Sequence, residues 1–294
     1  MTFLGVCEWC RGNQIGQHVS IFLARTTERM SPKIGIPLLV PMLYLVGTRM
    51  NSLKALVSNA VTAWIPGLAI TYVWSGNTFS WSVGAYALSY LAFVSIYEVG
   101  YFVNDTLGTR RDETPRHRLH GEVSGTFSVA FVAIRLATLV GIAALMSFPE
   151  SLPWMTACGA LVALIVLHNW LASSAFKAAT FIQMSALRFS IPILPLVPGP
   201  RCGDVLLLGL LHFAYPRFIT YLEAKGRLRI PERRTARYAL GSQALMAPAF
   251  AVLCAVAGSW LPLGIWVYYA TFQAGRLVLP GGGHTVDVSQ GHDA

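Results

Sequence analysis

Three carboxylates, Glu98, Asp105 and Asp112, recur at intervals of seven at the end of a long apolar run, in the stretch SIYEVGYFVNDTLGTRRDETPRHRLHGE. If the helix continues to residue 112, that spacing puts them on one face with Tyr101 and Gly108, and Asn104 lies beside it. Clustered carboxylates repel one another unless a cation sits between them. Mg²⁺ is held by one or two carboxylates together with substrate phosphates. The competing reading is a solvated helix end of mixed charge, and it is the reading for Glu113 and Glu122. Arg110, Arg111, Arg116 and Arg118 follow at once. A guanidinium fork suits phosphate oxygens, and basic residues in such a place also mark the cytoplasmic flank of a membrane helix. Gly108 costs a helix about 1 kcal/mol relative to alanine. Its place between Asp105 and Asp112 points either to close approach of a substrate sugar or phosphate, or to a helix end already frayed.

Two further stretches carry charge into apolar surroundings. In YPRFITYLEAKGRLRIPERR, Arg217, Tyr221 and Lys225 share one helical face, suited to a phosphate. Glu223, just off that face, is a candidate second metal ligand or base. Arg227, Arg229, Arg233, Arg234 and Arg237 read as lipid-facing charge. In SSAFKAATFIQMSALRFSIPILPL, Lys177 opens a span and Arg188 lies inside it, about three helical turns later and facing the same way. An arginine buried in a membrane needs an acidic partner or an anionic substrate. Arg135 has no neighbouring motif and reads as one half of a structural ion pair, with Glu98 as the candidate partner.

The elements that position these groups follow from composition. Of 294 residues, 54% are hydrophobic and 12% charged, against roughly 25% charged in a soluble domain. This excludes a disordered chain and argues against an ordinary soluble enzyme. It predicts an all-α polytopic membrane protein, a bundle of about eight transmembrane helices. The spans fall at 55–74, 80–103, 124–148, 153–172, 179–196, 204–222, 240–258 and 260–277. The run Ile34–Thr48, with Pro37 and Pro41 inside, would reach only about 22 Å as a helix, short for a bilayer. If it does not span, most of the 22 basic residues fall on one side, with Arg201 opposite and Arg135, Arg188 and Arg217 intramembrane. The positive-inside rule therefore makes 34–48 an interfacial or re-entrant segment and puts both termini in the cytoplasm.

The chain thus reads as an N-terminal cytoplasmic or interfacial segment (1–48), one transmembrane catalytic domain (49–280) and a disordered tail (281–294) holding His284 and His292. Cys7 and Cys10 form a CxxC without a second ligand pair, so a zinc site is not favoured. No cleavable signal peptide and no internal repeat is evident. The formal charge of +9 fits cytoplasmic loops, anionic lipid and phosphate-bearing substrates. No nucleic-acid partner is expected.

These residues resemble the UbiA superfamily of intramembrane prenyltransferases. Residues 104–112, NDTLGTRRD, are similar to the family's NDxxDxxxD motif at Asn104, Asp105 and Asp112, with Gly108 in place of the middle aspartate. The motif ends the second span, as in the family. SSAFK and LR supply Ser174, Lys177 and Arg188 where the family has a Tyr-Ser-x-x-x-Lys stretch and a buried arginine. Arg49 and Lys54 stand where its first helix opens. The resemblance covers about residues 50–280, loosely.

It implies a UbiA-like bundle and Mg²⁺ held by Asp105 and Asp112. Asn104, Asp105, Asp112 and Glu223 would be catalytic. Glu98, Tyr101, Gly108, Arg111, Arg118, Lys177, Arg188, Arg217, Tyr221 and Lys225 would bind substrate. The missing middle aspartate, and a second loop without the family's Asp-x-x-x-Asp, argue against an ordinary prenyl-diphosphate donor. They favour the branch that moves a phosphopentosyl group from phosphoribosyl diphosphate to a polyprenyl phosphate at the cytoplasmic face of the cell membrane. Prenyl transfer to an aromatic or other small acceptor is the alternative within the class. A transporter lined by Glu98, Arg135, Arg188 and Arg217, and a non-catalytic scaffold, are the readings outside it.

Overall fold

The computed structural model describes residues 34–108, 118–119, 123–230 and 235–278. The CxxC, Arg110, Arg111, Asp112, Glu113, Arg116, Glu122, Arg233, Arg234 and the C-terminal tail lie outside the described residues. The described chain is all-helical. A 3₁₀ turn (Ile36–Leu39) leads into α1 (Leu43–Arg49), then α2 (Leu53–Ser75), α3 (Phe79–Thr106), α4 (Gly125–Leu145), α5 (Leu152–Trp170), α6 (Ser174–Ser190), α7 (Gly199–Ala224), α8 (Ala236–Ala257) and α9 (Leu261–Val278).

Among the described residues, seven segments are long and apolar enough to cross a membrane: α2, α3, α4, α5, α7, α8 and the stretch Ala175–Leu196, which continues α6 through a 3₁₀ turn. This is a multi-pass helical membrane protein, and the seven overlie the first seven expected spans. The eighth, 260–277, is helical as α9 but is not among them, and it carries Gln273 and Arg276. Hydroxyl caps begin several of the helices: Ser52 accepts from Ala55 N, Ser124 from Phe127 N and Thr235 from Tyr238 N, each satisfying an orphan N–H. Gly76 closes α2 in the left-handed conformation, at φ 71°.

One expected element ends early. α3 stops at Thr106, whose hydroxyl bonds back to Phe102 O at 2.7 Å, and Gly108 already lies past the helix. Glu98 and Asp105 share a face of α3, whereas Asp112 lies outside the described residues. The segment 34–48 holds two short helices, neither long enough to cross a membrane. α1 lies against α3, while the turn before it packs on α4.

Proline shapes the interior. Within α2, Ala60–Trp64 is a π-helical stretch just before Pro66; within α7, Gly209–Ala214 is another just before Pro216. Pro66 lacks the N–H that an α-helix would aim at Thr62 O. His212 Nε2, from the second π stretch, hydrogen-bonds that carbonyl at 3.1 Å. The two widened turns are thus fastened together inside the bundle.

Candidate functional site

The acidic stripe is a clasp. Glu98, fully buried, accepts hydrogen bonds from Leu45 N (2.7 Å) and Met42 N (3.3 Å), the orphan donors at the start of α1. Arg135, also fully buried, is 2.8 Å from Glu98 Oε2 and donates to Leu38 O (2.9 Å), Leu39 O and Val40 O (3.1 Å), the carbonyls that end the preceding turn. One ion pair thus caps two short helices at once. A buried pair of this kind is tolerable because its remaining donors and acceptors are also satisfied.

About two helical turns further along α3, Asp105 takes side chains from both ends of α1. Tyr44 donates to Asp105 Oδ2 at 2.7 Å, and Arg49 Nη2 reaches both carboxylate oxygens at 2.8 and 3.0 Å. Arg118 Nη1 stands 3.3 Å from Oδ1. Burial alone would depress the Arg49 guanidinium; its bond to Asp105 and nearby charge carry it above its ordinary value. Burial, reinforced by Asp105, raises the Tyr44 phenol, so that it stays a donor.

Beside this clasp opens a polar cavity of about 340 Å³, walled by Arg49, Tyr101, Asn104, Arg118, Lys177 and Lys225, with Tyr97, His168, Asn169, Phe181 and Tyr221 completing its lining. The ends of α1, α3, α5, α6 and α7 build it. From α3 comes an aromatic ladder, Tyr86, Tyr90, Phe93, Tyr97 and Tyr101, with successive ring centroids 4.6–6.1 Å apart. His168 on α5 is 2.7 Å from Thr180 on α6, and Phe181 on α6 stacks on Tyr221 of α7 at 4.3 Å. Arg49 lies over the Tyr101 ring at 4.3 Å.

Behind Tyr97 and Tyr101 sit two more arginines. Arg188 donates to Asn59 Oδ1 (2.9 Å) and to the Tyr101 hydroxyl (3.3 Å), with its guanidinium 5.7 Å from the Phe213 ring centroid. Arg217 lies 4.1 Å over the same ring. Among the described residues neither has a carboxylate within ion-pair distance, unlike Arg49, Arg118 and Arg135. Aromatic faces attract these cations but do not neutralise them.

A second, larger cavity of about 890 Å³ runs between α3, α4 and α5, lined by apolar side chains such as Val99, Val103, Leu139, Val162 and Val166. It shares Gly100, Ile165 and Asn169 with the polar one. Gly100 permits the close passage there: a Cβ on it would stand 2.8 Å from Ile165 Cδ1.

The structure therefore gathers Tyr101, Asn104, Arg118, Lys177, Tyr221 and Lys225 into one cavity, with Arg188 and Arg217 behind it. Glu98 is turned to α1 and Arg135, away from that cavity. Gly108 borders the apolar groove, and what approaches it is protein: the Asn104 and Asn169 Oδ1 atoms would each lie 2.9 Å from an added Cβ. Glu223 sits half-buried in the last turn of α7 and is not part of the cavity wall. Sequence reasoning did not single out Asn59, Tyr97, His168, Asn169 or Phe213. The His168–Asn169 pair, polar at the end of an apolar run, was the available signal.

A magnesium ion at Asp105 does not fit these contacts. Two guanidinium groups and a phenol already take up its oxygens, and a divalent cation would have to displace them. Among the described residues, no three His, Cys, Asp or Glu side chains gather as a ligand set. No family model, curated protein or solved structure matches the chain.

Proposed function

We propose that this protein is an intramembrane transferase acting on a polyprenyl phosphate, taking a phosphopentosyl group from phosphoribosyl diphosphate. The observation that carries this reading is the adjacency of the two cavities. An apolar groove of about 890 Å³ and a chamber walled by four cationic side chains lie side by side, with Gly100, Ile165 and Asn169 lining both. An amphiphile with an apolar tail and a phosphate head matches that pairing, and the resemblance of Asn104–Asp105, Lys177 and Arg188 to the UbiA pattern points the same way.

In the reaction, a phosphate oxygen of the lipid attacks C1 of the pentose. The bond from C1 to the diphosphate oxygen breaks, and diphosphate leaves with the electron pair. Arg118, Lys177 and Lys225 stand where they can hold the charge that develops on it. Asn104 and Tyr101 contribute polar groups that orient the head groups. The transfer takes place on the cytoplasmic face of the cell membrane.

The experiment is incubation of the purified protein with radiolabelled phosphoribosyl diphosphate and a polyprenyl phosphate. Label passing into the organic phase is the expected outcome. Label transferred from a prenyl diphosphate to an aromatic acceptor instead would assign prenyl transfer. The aromatic ladder ending in Tyr97 and Tyr101 favours that second reading, because aromatic faces stabilise a developing carbocation.

A further inference from the structure

We infer that the polar cavity binds its phosphate or diphosphate through the chain's own cations without magnesium, and that Asp105 is an arginine-positioning residue rather than a metal ligand. The inference rests on the reading above that the ligand carries phosphate. Three observations support it.

Asp105 is engaged by Arg49 through both oxygens, by Tyr44 and by Arg118, and its side chain is fully buried. This arrangement aims a guanidinium; it does not present an open carboxylate. The aimed group borders the cavity, and Arg49 Nη1 is a buried donor with no partner among the described residues. Such a donor costs free energy until an acceptor arrives.

Arg188 and Arg217 supply two further cations behind the cavity with no carboxylate to neutralise them among the described residues. Asn59 Nδ2, on the residue that holds Arg188, is a second buried donor without a partner among the described residues. An uncompensated pair of arginines within a membrane bundle is costly unless an anion completes it. Diphosphate in the cavity, with several acceptor oxygens, can answer the Arg49 guanidinium that borders it, and its charge offsets that of the two arginines behind. Divalent metal is otherwise used to neutralise such a ligand, and here the protein brings the positive charge itself.

The test is calorimetric titration of the full-length protein in lipid nanodiscs with inorganic diphosphate, once in EDTA and once in excess Mg²⁺, with a polyprenyl phosphate in the nanodisc as a separate arm. Equal affinity in the two conditions, within about threefold, is the expected result. Asp105→Asn should weaken binding by about tenfold in both conditions. A metal ligand would lose binding only where Mg²⁺ is present. Arg49→Ala made in the Asp105→Asn background should add little, since the two act as one unit. The wild-type comparison needs no variant to fold. Binding confined to Mg²⁺ overturns this inference and leaves the proposed transferase standing. Failure of both diphosphate and polyprenyl phosphate to bind in either condition overturns both. Binding of the lipid phosphate alone, unaffected by EDTA, supports the inference for the lipid head group.

Discussion

The two charged regions of α3 and its neighbours are built on opposite terms. Glu98 and Asp105 are completely answered: every acid in the clasp meets an arginine, and the arginines also cap backbone carbonyls or meet a second residue. Arg188 and Arg217, a few ångströms across the Tyr97–Tyr101 ladder, meet amide, phenol and aromatic rings and no acid among the described residues. A satisfied buried pair holds a fold together, whereas an unanswered buried charge opposes folding until something binds. The comparison separates a structural use of charge from a recognitional one within a single membrane domain.

The comparison breaks first at Arg135. Arg135→Ala leaves Glu98 buried without its partner and uncaps the turn Ile36–Leu39, so stability should fall by about 3–5 kcal/mol. Thermal melting and the monodisperse yield after detergent extraction measure it. A yield near wild type would show that the clasp is dispensable. Asp105→Asn should cost less, about 1.5–3 kcal/mol, because Tyr44 and Arg49 keep a neutral acceptor in place. Its melting temperature should lie between those of wild type and Arg135→Ala.

Arg188→Met is the converse case. It removes a cation with no acidic partner, so the melting temperature should hold or rise, while phosphate affinity falls by about tenfold, near 1.4 kcal/mol. A variant that lost stability and affinity in step would mean that Arg188 belongs with the structural group. Gly108→Ala has the smallest expected effect, under about 1 kcal/mol. The added Cβ meets the ends of the Asn104 and Asn169 side chains, which can turn aside. Unchanged diphosphate affinity in this variant is the expected measurement, and a large loss would restore a substrate contact at this position.

The apolar segments and the Arg135–Glu98 pairing were legible from the residues alone. All eight expected spans coincide with helices, seven of them long and apolar enough to cross a membrane among the described residues, because hydrophobic length is a local property, readable in one window of sequence. Arg135 was assigned to Glu98 because a buried arginine in an otherwise apolar run must find an acid, and few were on offer. The convergence of Lys177, Arg118, Tyr221 and Lys225 on one chamber was only partly legible. The helical faces of Lys177 and Tyr221 could be read, but which helix ends meet depends on packing of α3, α5, α6 and α7.

Asp105 marks where local reading stops. Its spacing from Glu98 is a fact of sequence and correctly places both acids on one side of α3. What faces that side is set by α1, whose Tyr44 and Arg49 lie 61 and 56 residues away along the chain. A carboxylate facing water or a metal and a carboxylate facing an arginine have the same spacing. The sequence by itself determined the membrane class, the apolar spans and the supply of charge, because each follows from composition and short-range periodicity. Only the tertiary structure decided that the acids of α3 fasten a short helix while two arginines remain without an acid among the described residues, because ion pairing depends on long-range approach of segments that no local pattern encodes.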